Sequence, residues 1–170
     1  MKKLLLIGDL HIPERAEKIP DWIIELLKKE KFDLILCTGD LVYTSAVNEL
    51  KKYAVVKAVQ GNMDFLSLPE KEIVEIEGLK IGLIHGTQIH PRGNIEQLTA
   101  IAEEMNVDIL VHGHTHKLKI EKLNGILLLN PGTATGVWGG IAGKAPETII
   151  ILEINKKVKI RKFESGKELL

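Results

Sequence analysis

Five strand-length apolar runs in this chain each end beside a glycine and a side chain of a metal-binding type. The runs read KKLLLIGDLH, LILCTGD, VVKAVQGN, IGLIHG and ILVHGHTH. Such runs are typical of strands that are covered on both faces. Because the carboxyl ends of strands in open α/β sheets border the ligand crevice, we expect their polar side chains to converge. The side chains concerned are Asp9, His11, Asp40, Asn62, His85, His114 and His116.

Helix-like stretches separate several of these runs. Apolar residues recur at helical spacing in IPDWIIELLKKE, SAVNELKKY and NIEQLTAIAEEMN. Pro20 and Ser45 stand at plausible starts of the first two helices, and the Ser45 hydroxyl could accept a bond from a free amide of the first turn. Asn106 ends the third helix. These segments predict helices that pack on the faces of a sheet.

The chain changes character after His116, where KLKIEKL, GILLLN, ETIIILEI and KVKIRKF predict strands joined by tight turns. Alternating strands and helices followed by a strand-rich tail predict the α/β class, with sandwiched sheets flanked by helices. The length of 170 residues is near the usual size of one domain, so we expect a single domain over residues 1–170.

Composition limits the partners that such a chain can have. Its 23 basic and 23 acidic residues give a net charge of zero, so the composition does not indicate binding to nucleic acid or to an anionic membrane. Cys37 is the only cysteine, which excludes an internal disulfide, and its apolar run indicates a core position. The opening MKKLLLIGDLH is too short for a signal peptide or a membrane span. We expect a cytoplasmic protein, and a homo-oligomer is left open.

Glycine beside Asp, Asn or His is also common in ordinary turns. For any one of the five loops, the turn interpretation is as good as the metal interpretation. Five coincident cases favour a site, and three of the six aspartates, Asp9, Asp40 and Asp64, lie in these loops.

The predicted ligands define a chemistry. Carboxylate, imidazole and amide oxygen together suit Mn, Fe, Ni or Zn, and do not suit a soft thiolate site. Seven ligands exceed the need of one ion with an open position, and a carboxylate can bridge two. Two ions about 3.5–4 Å apart can hold a hydroxide and clamp a phosphoryl group during in-line displacement. The ligand set therefore indicates a hydrolase.

The blocks GDLH (8–11), GD (39–40), GNMD (61–64), HG (85–86) and GHTH (113–116) resemble the five ordered motifs of the calcineurin-like metallophosphoesterases. Chain length and the late NPGT (130–133) resemble, more narrowly, the small YfcE-type phosphodiesterases of bacteria and archaea. The resemblance spans nearly the whole chain. It implies a four-layer α/β/β/α sandwich of two mixed sheets flanked by helices.

The resemblance also implies roles for the residues. The first metal would be bound by Asp9, His11 and His116, the second by Asn62, His85 and His114, with Asp40 as the bridge. A metal-bridging hydroxide would attack a small phosphate ester, and the resemblance to the small phosphodiesterases implies a diester. Manganese is the metal expected first, with nickel, iron, zinc or magnesium as alternatives. The side chains expected to serve catalysis are Asp40, Asn62, His85 and Asp64.

Two other functions compete with this one. A eukaryotic retromer subunit has the same fold with an altered site and works as a protein-interaction scaffold. Here every one of the ligand positions holds a competent side chain, which favours the enzyme. A nuclease of the same superfamily is disfavoured by the neutral charge and by the lack of an extra domain to grip DNA.

Two positions depart from the family pattern. Larger relatives carry a histidine, taken as proton donor or phosphate contact, where this chain has Met63. The small phosphodiesterases also tend to lack it, so the general acid stays unassigned. Thr87 stands where many relatives have a histidine, and we expect it only to change how the loop is held.

Several other residues allow two interpretations. His112 ends an apolar run and is predicted to be a packed, hydrogen-bonded histidine rather than a ligand. Asp64 either orients a ligand imidazole or only shapes a turn. His90 and Arg92 either contact the phosphate or are surface residues without a role in the site. The glycine-rich stretch 136–144 lacks the order of a P-loop, and Trp138 could form a wall of the site there.

Overall fold

Strands and helices alternate in the first part of the chain, and strands follow to its end. The structure is a computed structural model that describes residues 1–139 and 143–170. Its helices are α1 (Asp21–Lys29), α2 (Thr44–Leu50) and α3 (Ile95–Met105). Its strands are β1 (Lys2–Ile7), β2 (Leu34–Cys37), β3 (Val55–Ala58), β4 (Lys71–Ile76), β5 (Leu79–Ile84), β6 (Ile109–Val111), β7 (Leu118–Leu123), β8 (Ile126–Pro131), β9 (Thr148–Ile154), β10 (Val158–Glu164) and β11 (Lys167–Leu169).

The strands form two mixed sheets. The first sheet has the order β11-β10-β9-β1-β2-β3, in which β1, β2 and β3 are parallel and β9 runs antiparallel to β1. The second has the order β4-β5-β6-β8-β7, in which β5, β6 and β8 are parallel and both edge strands are antiparallel. Each sheet therefore contains three adjacent parallel strands that end on the same side, at one edge of the first sheet and in the centre of the second.

Three apolar cores separate four layers. Helices α1 and α2 cover the outer face of the first sheet, where Ile23 is fully buried. The two sheets enclose the second core, which contains Leu6 and Leu83. Helix α3 covers the second sheet with Leu98, next to Leu110. The layers follow the order α/β/β/α, as predicted, and burial on both faces explains the apolar runs of β1, β2 and β6. The same expectation was wrong for β3, which lies at the edge of the first sheet and exposes Val55.

The structure differs from the sequence interpretation in two further strands and one cap. Strand β4 alternates exposed and half-buried residues at a sheet edge, and β11 has only three residues, so neither contains an apolar run. Helix α2 begins at Thr44, which places Ser45 inside it, and Tyr43 precedes the helix without a side-chain cap. Asn94 caps α3 by accepting from Gln97 N. No helix of the described residues is long and apolar enough to cross a membrane.

Candidate metal centre

The predicted ligands lie where parallel strands of both sheets end. Asp9, Asp40 and Asn62 follow β1, β2 and β3 of the first sheet, whereas His85 and His114 follow β5 and β6 of the second. The loops are joined across the sheets, because His114 N donates to Asp9 Oδ2 at 3.0 Å. The site is therefore shared by two sheets, and not built on the edge of one.

A first cluster lies on the side of β1. Asp9, His11, Asp40 and His116 each offer a ligand atom, and these atoms all lie within 4.8 Å of one another. His11 Nε2 lies 3.3 Å from His116 Nε2 and 3.4 Å from Asp40 Oδ2. His116 Nε2 lies 3.7 Å from Asp9 Oδ1. All four side chains are buried.

A second cluster shares Asp40 with the first. Its ligand atoms come from Asp40, His85 and His114 and also lie within 4.8 Å of one another. His85 Nε2 lies 3.3 Å from Asp40 Oδ2 and 3.1 Å from Asn62 Oδ1. The structure thus brings all the predicted ligand residues together and gives the Asp40 carboxylate to both clusters.

Hydrogen bonds on the outer side of two imidazoles turn their lone pairs inward. His85 and His116 each donate Nδ1–H to a backbone carbonyl oxygen at 2.7 Å. In a neutral ring the Nε2 atom then carries a lone pair, which faces the carboxylates of Asp40 and Asp9. Asp9 Oδ1 is buried with no hydrogen-bond donor among the described residues. Converging acceptors require a cation, so these residues fit a divalent metal ion.

The backbone of the candidate ligands is strained. Five of them have positive φ: Asp9 (47°), His11 (49°), Asp40 (53°), His114 (71°) and His116 (60°). The left-handed region costs L-residues other than glycine about 1–2 kcal/mol each. Such strain persists where the surrounding structure imposes it, and it clusters at functional sites. The fold holds these side chains in place at the expense of its stability.

Burial sets the protonation of most of the cluster. It raises the pKa of Asp9 to about 6. It lowers the pKa of His11 to about 4 and that of His114 to about 4. Both imidazoles are therefore neutral at pH 7 and can offer a lone pair to a metal.

His85 behaves in the opposite way. Burial would lower its pKa, but the hydrogen bond to Asp40 and the negative charges of Asp9 and Asp40 outweigh burial and raise the pKa to about 9. The same contact with His85 lowers the pKa of Asp40, again against the effect of burial. In the metal-free chain His85 holds a proton at pH 7, which a bound metal ion would displace.

Two glycines allow the backbone to approach the candidate ligands closely. A Cβ atom at Gly61 would collide with Asp40 Oδ1, and one at Gly139 would lie 2.9 Å from His116 Cδ2. Gly61 therefore lets the loop after β3 close on the shared carboxylate, and Gly139 lets the chain cover the His116 ring.

Asp64 does not orient an imidazole, contrary to one of its two interpretations. Its carboxylate accepts hydrogen bonds from the backbone amides of Asp40 (3.0 Å), Val42 (2.7 Å) and Gly61 (2.8 Å). It thereby ties the loop after β2 to the loop after β3. The shared carboxylate is also held directly, because Met63 N donates to Asp40 Oδ1 at 2.9 Å.

A cavity of about 130 Å³ opens onto both clusters, and Arg15, Met63, Arg92 and Gly139 belong to its lining. Arg15 Nη1 donates to Trp138 O at 3.2 Å, and Arg92 Nη1 donates to Gly139 O at 2.7 Å. Arg92 therefore lies at the site. Arg15 was not predicted from the sequence, where the available signal was its position four residues after His11.

Of the other residues singled out in the sequence, two lie in the core and one lies on the surface. His112 is buried and lies with Nδ1 3.3 Å from Asn130 Nδ2, as predicted for a packed histidine. Cys37 is fully buried, and burial raises the pKa of its thiol to about 12. His90 is exposed and is not part of the cavity lining. Residues 140–142 of the glycine-rich stretch lie outside the described residues.

Two face-to-face sheets with a buried carboxylate and imidazole cluster at their carboxyl ends are the architecture of a metallophosphoesterase. The chain belongs to the calcineurin-like phosphoesterase superfamily, whose domain matches residues 1–157. This match covers every candidate ligand.

Two curated archaeal proteins are similar in sequence. The chain is 44% identical over 130 residues to a probable metallophosphoesterase of Methanocaldococcus jannaschii, covering 76% of this chain and 67% of that protein. It is 41% identical over 133 residues to a probable metallophosphoesterase of Methanothermobacter thermautotrophicus, covering 76% of each.

Solved structures show the same fold. Wild-type Vps29 from Entamoeba histolytica, complexed with Zn²⁺, superposes with a TM-score of 0.90 at 35% identity, covering 98% of this chain and 96% of that one. Vacuolar protein sorting 29 from Cryptosporidium parvum gives a TM-score of 0.92 at 35% identity, covering 99% and 94%. An archaeal phosphodiesterase gives 0.73 at 24% identity, covering 95% and 99%, a likeness in fold alone.

Proposed function

We propose that this protein is a phosphodiesterase that depends on two divalent metal ions and acts on small phosphate esters. One observation carries the proposal. The buried Asp40 Oδ2 lies 3.4 Å from His11 Nε2 on one side and 3.3 Å from His85 Nε2 on the other, so one carboxylate serves both clusters. A shared carboxylate is what two adjacent ions require.

The two clusters divide the ligands between the ions. Asp9, His11 and His116 would hold the first ion, Asn62, His85 and His114 the second, and Asp40 both. Manganese suits this mixture of oxygen and imidazole ligands, and nickel, iron, zinc and magnesium are the competitors to test. Two such ions would supply an activated water and neutralise charge on the phosphoryl oxygens.

Two arginines that line the cavity can bind the substrate in addition to the metal ions. Arg15 and Arg92 each keep guanidinium donors beyond the one used on the backbone, and these can bind non-bridging phosphoryl oxygens. Met63 lines the cavity where a proton donor would be useful, and a thioether cannot donate. The site therefore favours esters whose leaving group needs no proton.

The test uses chelated protein and bis(p-nitrophenyl) phosphate. We expect no turnover after chelation, recovery with Mn²⁺, and none with Mn²⁺ in Asp40→Asn. Asp108→Asn is the matched control, because Asp108 is exposed and its carboxylate accepts a hydrogen bond from Lys80 N at the other end of the sheet, away from both clusters. Full activity after chelation, or an active Asp40→Asn, would refute the proposal.

The likeness to Vps29 supports a second candidate, an interaction scaffold. A scaffold would keep its metal and turn over none of a panel of phosphomonoesters, phosphodiesters and cyclic nucleotides. The complete set of candidate ligands favours the enzyme. Turnover of any member of the panel, lost in Asp40→Asn, would exclude a purely structural role.

A further inference from the structure

A second cavity adjoins the candidate metal centre on the side of the second sheet. It has a volume of about 480 Å³, and Arg92 and Gly139 belong to the lining of both cavities. Its floor lies at the carboxyl ends of β6 and β8, where His112 and Asn130 are buried. A molecule bound at the metal centre can therefore extend past Arg92 into this cavity.

The lining of this second cavity is cationic. Arg92, Lys117 and Lys119 belong to it, and no carboxylate of the described residues does. Within the described part of the chain, Arg92 and Lys117 form no salt bridge, whereas Lys119 Nζ lies 2.8 Å from Glu121 Oε1. Even with Lys119 neutralised, two positive charges remain in a chain whose net charge is zero. A concave cationic surface attracts anions.

Buried polar side chains form the floor of this cavity. Asn130 Nδ2 lies 2.9 Å from Thr115 Oγ1, 3.2 Å from Gly113 O and 3.3 Å from His112 Nδ1. Asn130 Oδ1 accepts from Gly132 N at 2.9 Å. The floor is therefore a fixed polar surface beneath the cationic side chains.

Trp138 supplies an apolar wall of this second cavity. Its side chain is 38% exposed and belongs to the cavity lining, and its backbone oxygen is held by Arg15 of the metal cavity. An exposed indole beside guanidinium groups suits a flat ring, such as a nucleobase.

We propose that this cavity, formed by Arg92, His112, Lys117, Lys119 and Trp138, is a subsite for a second phosphate of the substrate. The proposal rests on the proposed function, and it names the substrate class. The substrate is a nucleotide-like phosphodiester whose retained arm carries a further phosphate, with a ring against Trp138. The reacting phosphate lies at the metals, and the second phosphate lies beyond Arg92.

The test compares two esters that share a reacting centre and a leaving group. One is the p-nitrophenyl ester of thymidine 5′-phosphate, and the other is the same ester with an added 3′-phosphate. In the Mn²⁺-loaded protein we expect the 3′-phosphate to lower KM by about tenfold, as one well-paired phosphate can. In the double variant Lys117→Ala/Lys119→Ala the two KM values should coincide, with kcat for the unphosphorylated ester unchanged.

The matched control is Lys156→Ala/Lys157→Ala, which removes the same charge from an exposed turn and should keep the tenfold difference. Equal KM values for the two esters in the wild type would overturn the subsite. So would a difference that survives in the Lys117/Lys119 variant.

A binding measurement separates this proposal from the proposed function. Calorimetry on chelated protein should show thymidine 3′,5′-bisphosphate binding more tightly than thymidine 5′-monophosphate, and the Lys117/Lys119 variant should abolish the difference. If neither ester is hydrolysed but this difference is found, the phosphodiesterase fails and the phosphate subsite stands. If the two nucleotides bind equally to the wild type, the subsite fails whatever the activity.

Discussion

At the scale of single residues, Asp40 decides what the site can do. It is 2% exposed, lies beside one imidazole of each cluster, and accepts from Met63 N. The carboxylate keeps its charge because the contact with His85 outweighs burial and lowers the Asp40 pKa. A neutral amide at this position would have the same shape but could not balance two divalent ions.

The histidines of the HGHTH segment should separate by function. His112→Ala removes a buried imidazole that contacts Asn130, so we expect it to lower the free energy of unfolding of chelated protein by about 2 kcal/mol and to keep both metals. His114→Ala should change that stability by less than about 1 kcal/mol and lose one metal equivalent. Urea unfolding and elemental analysis measure both quantities, and a folded His112→Ala protein lacking metal would reverse the assignment.

Met63 should set the dependence of rate on the leaving group. A positioned general acid contributes about 10²–10⁴-fold, and Met63 cannot supply it. We expect a steep decline of rate with leaving-group pKa in the wild type and in Met63→Leu, and a shallower one in Met63→His. The measurement is a series of aryl and alkyl phosphodiesters with each protein. A flat series in the wild type, with bond cleavage rate-limiting, would mean that another acid is already in place.

At the scale of elements, Asp64 joins the loops that follow β2 and β3. Asp64→Ala leaves three backbone amides without an acceptor, so we expect a loss of about 2–4 kcal/mol of stability and weaker metal binding. Asp33→Ala is the control, because the Asp33 carboxylate also accepts a backbone bond, from Lys3 N, but is well exposed to solvent. It should cost less than about 1 kcal/mol and leave metal binding intact. Equal losses of stability and of metal binding in Asp64→Ala and Asp33→Ala would contradict the role of Asp64 in joining the two loops.

The sequence predicted the elements and site residues that form a recognisable pattern with their neighbours along the chain. The buried strands are visible as apolar runs, and the candidate ligands follow directly after them. Strand β4 escaped because an edge strand needs no apolar run. Arg15 escaped because its hydrogen bond joins it to Trp138, 123 positions further along the chain, which no local spacing contains. The close approach of Gly139 to the His116 ring also depends on how the chain folds back. The strained φ of Asp9 and its neighbours is likewise imposed by packing.

At the scale of the whole molecule, the site depends on how two sheets meet. Asp9 comes from the first sheet and His114 from the second, and the hydrogen bond between them spans the junction. Buried acceptors that converge there repel one another when no cation is present. Metal binding should therefore raise the free energy of unfolding of the two-sheet sandwich, in addition to completing the site for catalysis.

Metal binding should also release protons in a pH-dependent way. At pH 7 we expect about one proton, from His85 with its pKa of about 9. Below pH 6 the number should rise toward about two, because Asp9, with a pKa of about 6, is then protonated as well. Affinity therefore falls as pH falls. Calorimetry of Mn²⁺ binding in buffers of different ionisation enthalpy measures the release, and none at pH 7, or an unchanged release in His85→Ala, would contradict these assignments.

A carboxylate shared by two clusters should require both clusters to hold a metal ion before the protein acts on a phosphodiester. The most direct measurement is titration of chelated protein with Mn²⁺, following bound metal and hydrolysis of bis(p-nitrophenyl) phosphate in the same samples. We predict that activity stays low through the first equivalent and rises to its plateau at two equivalents per chain. An activity that reaches its plateau at one equivalent, or that is present without metal, would contradict a site built around a shared Asp40.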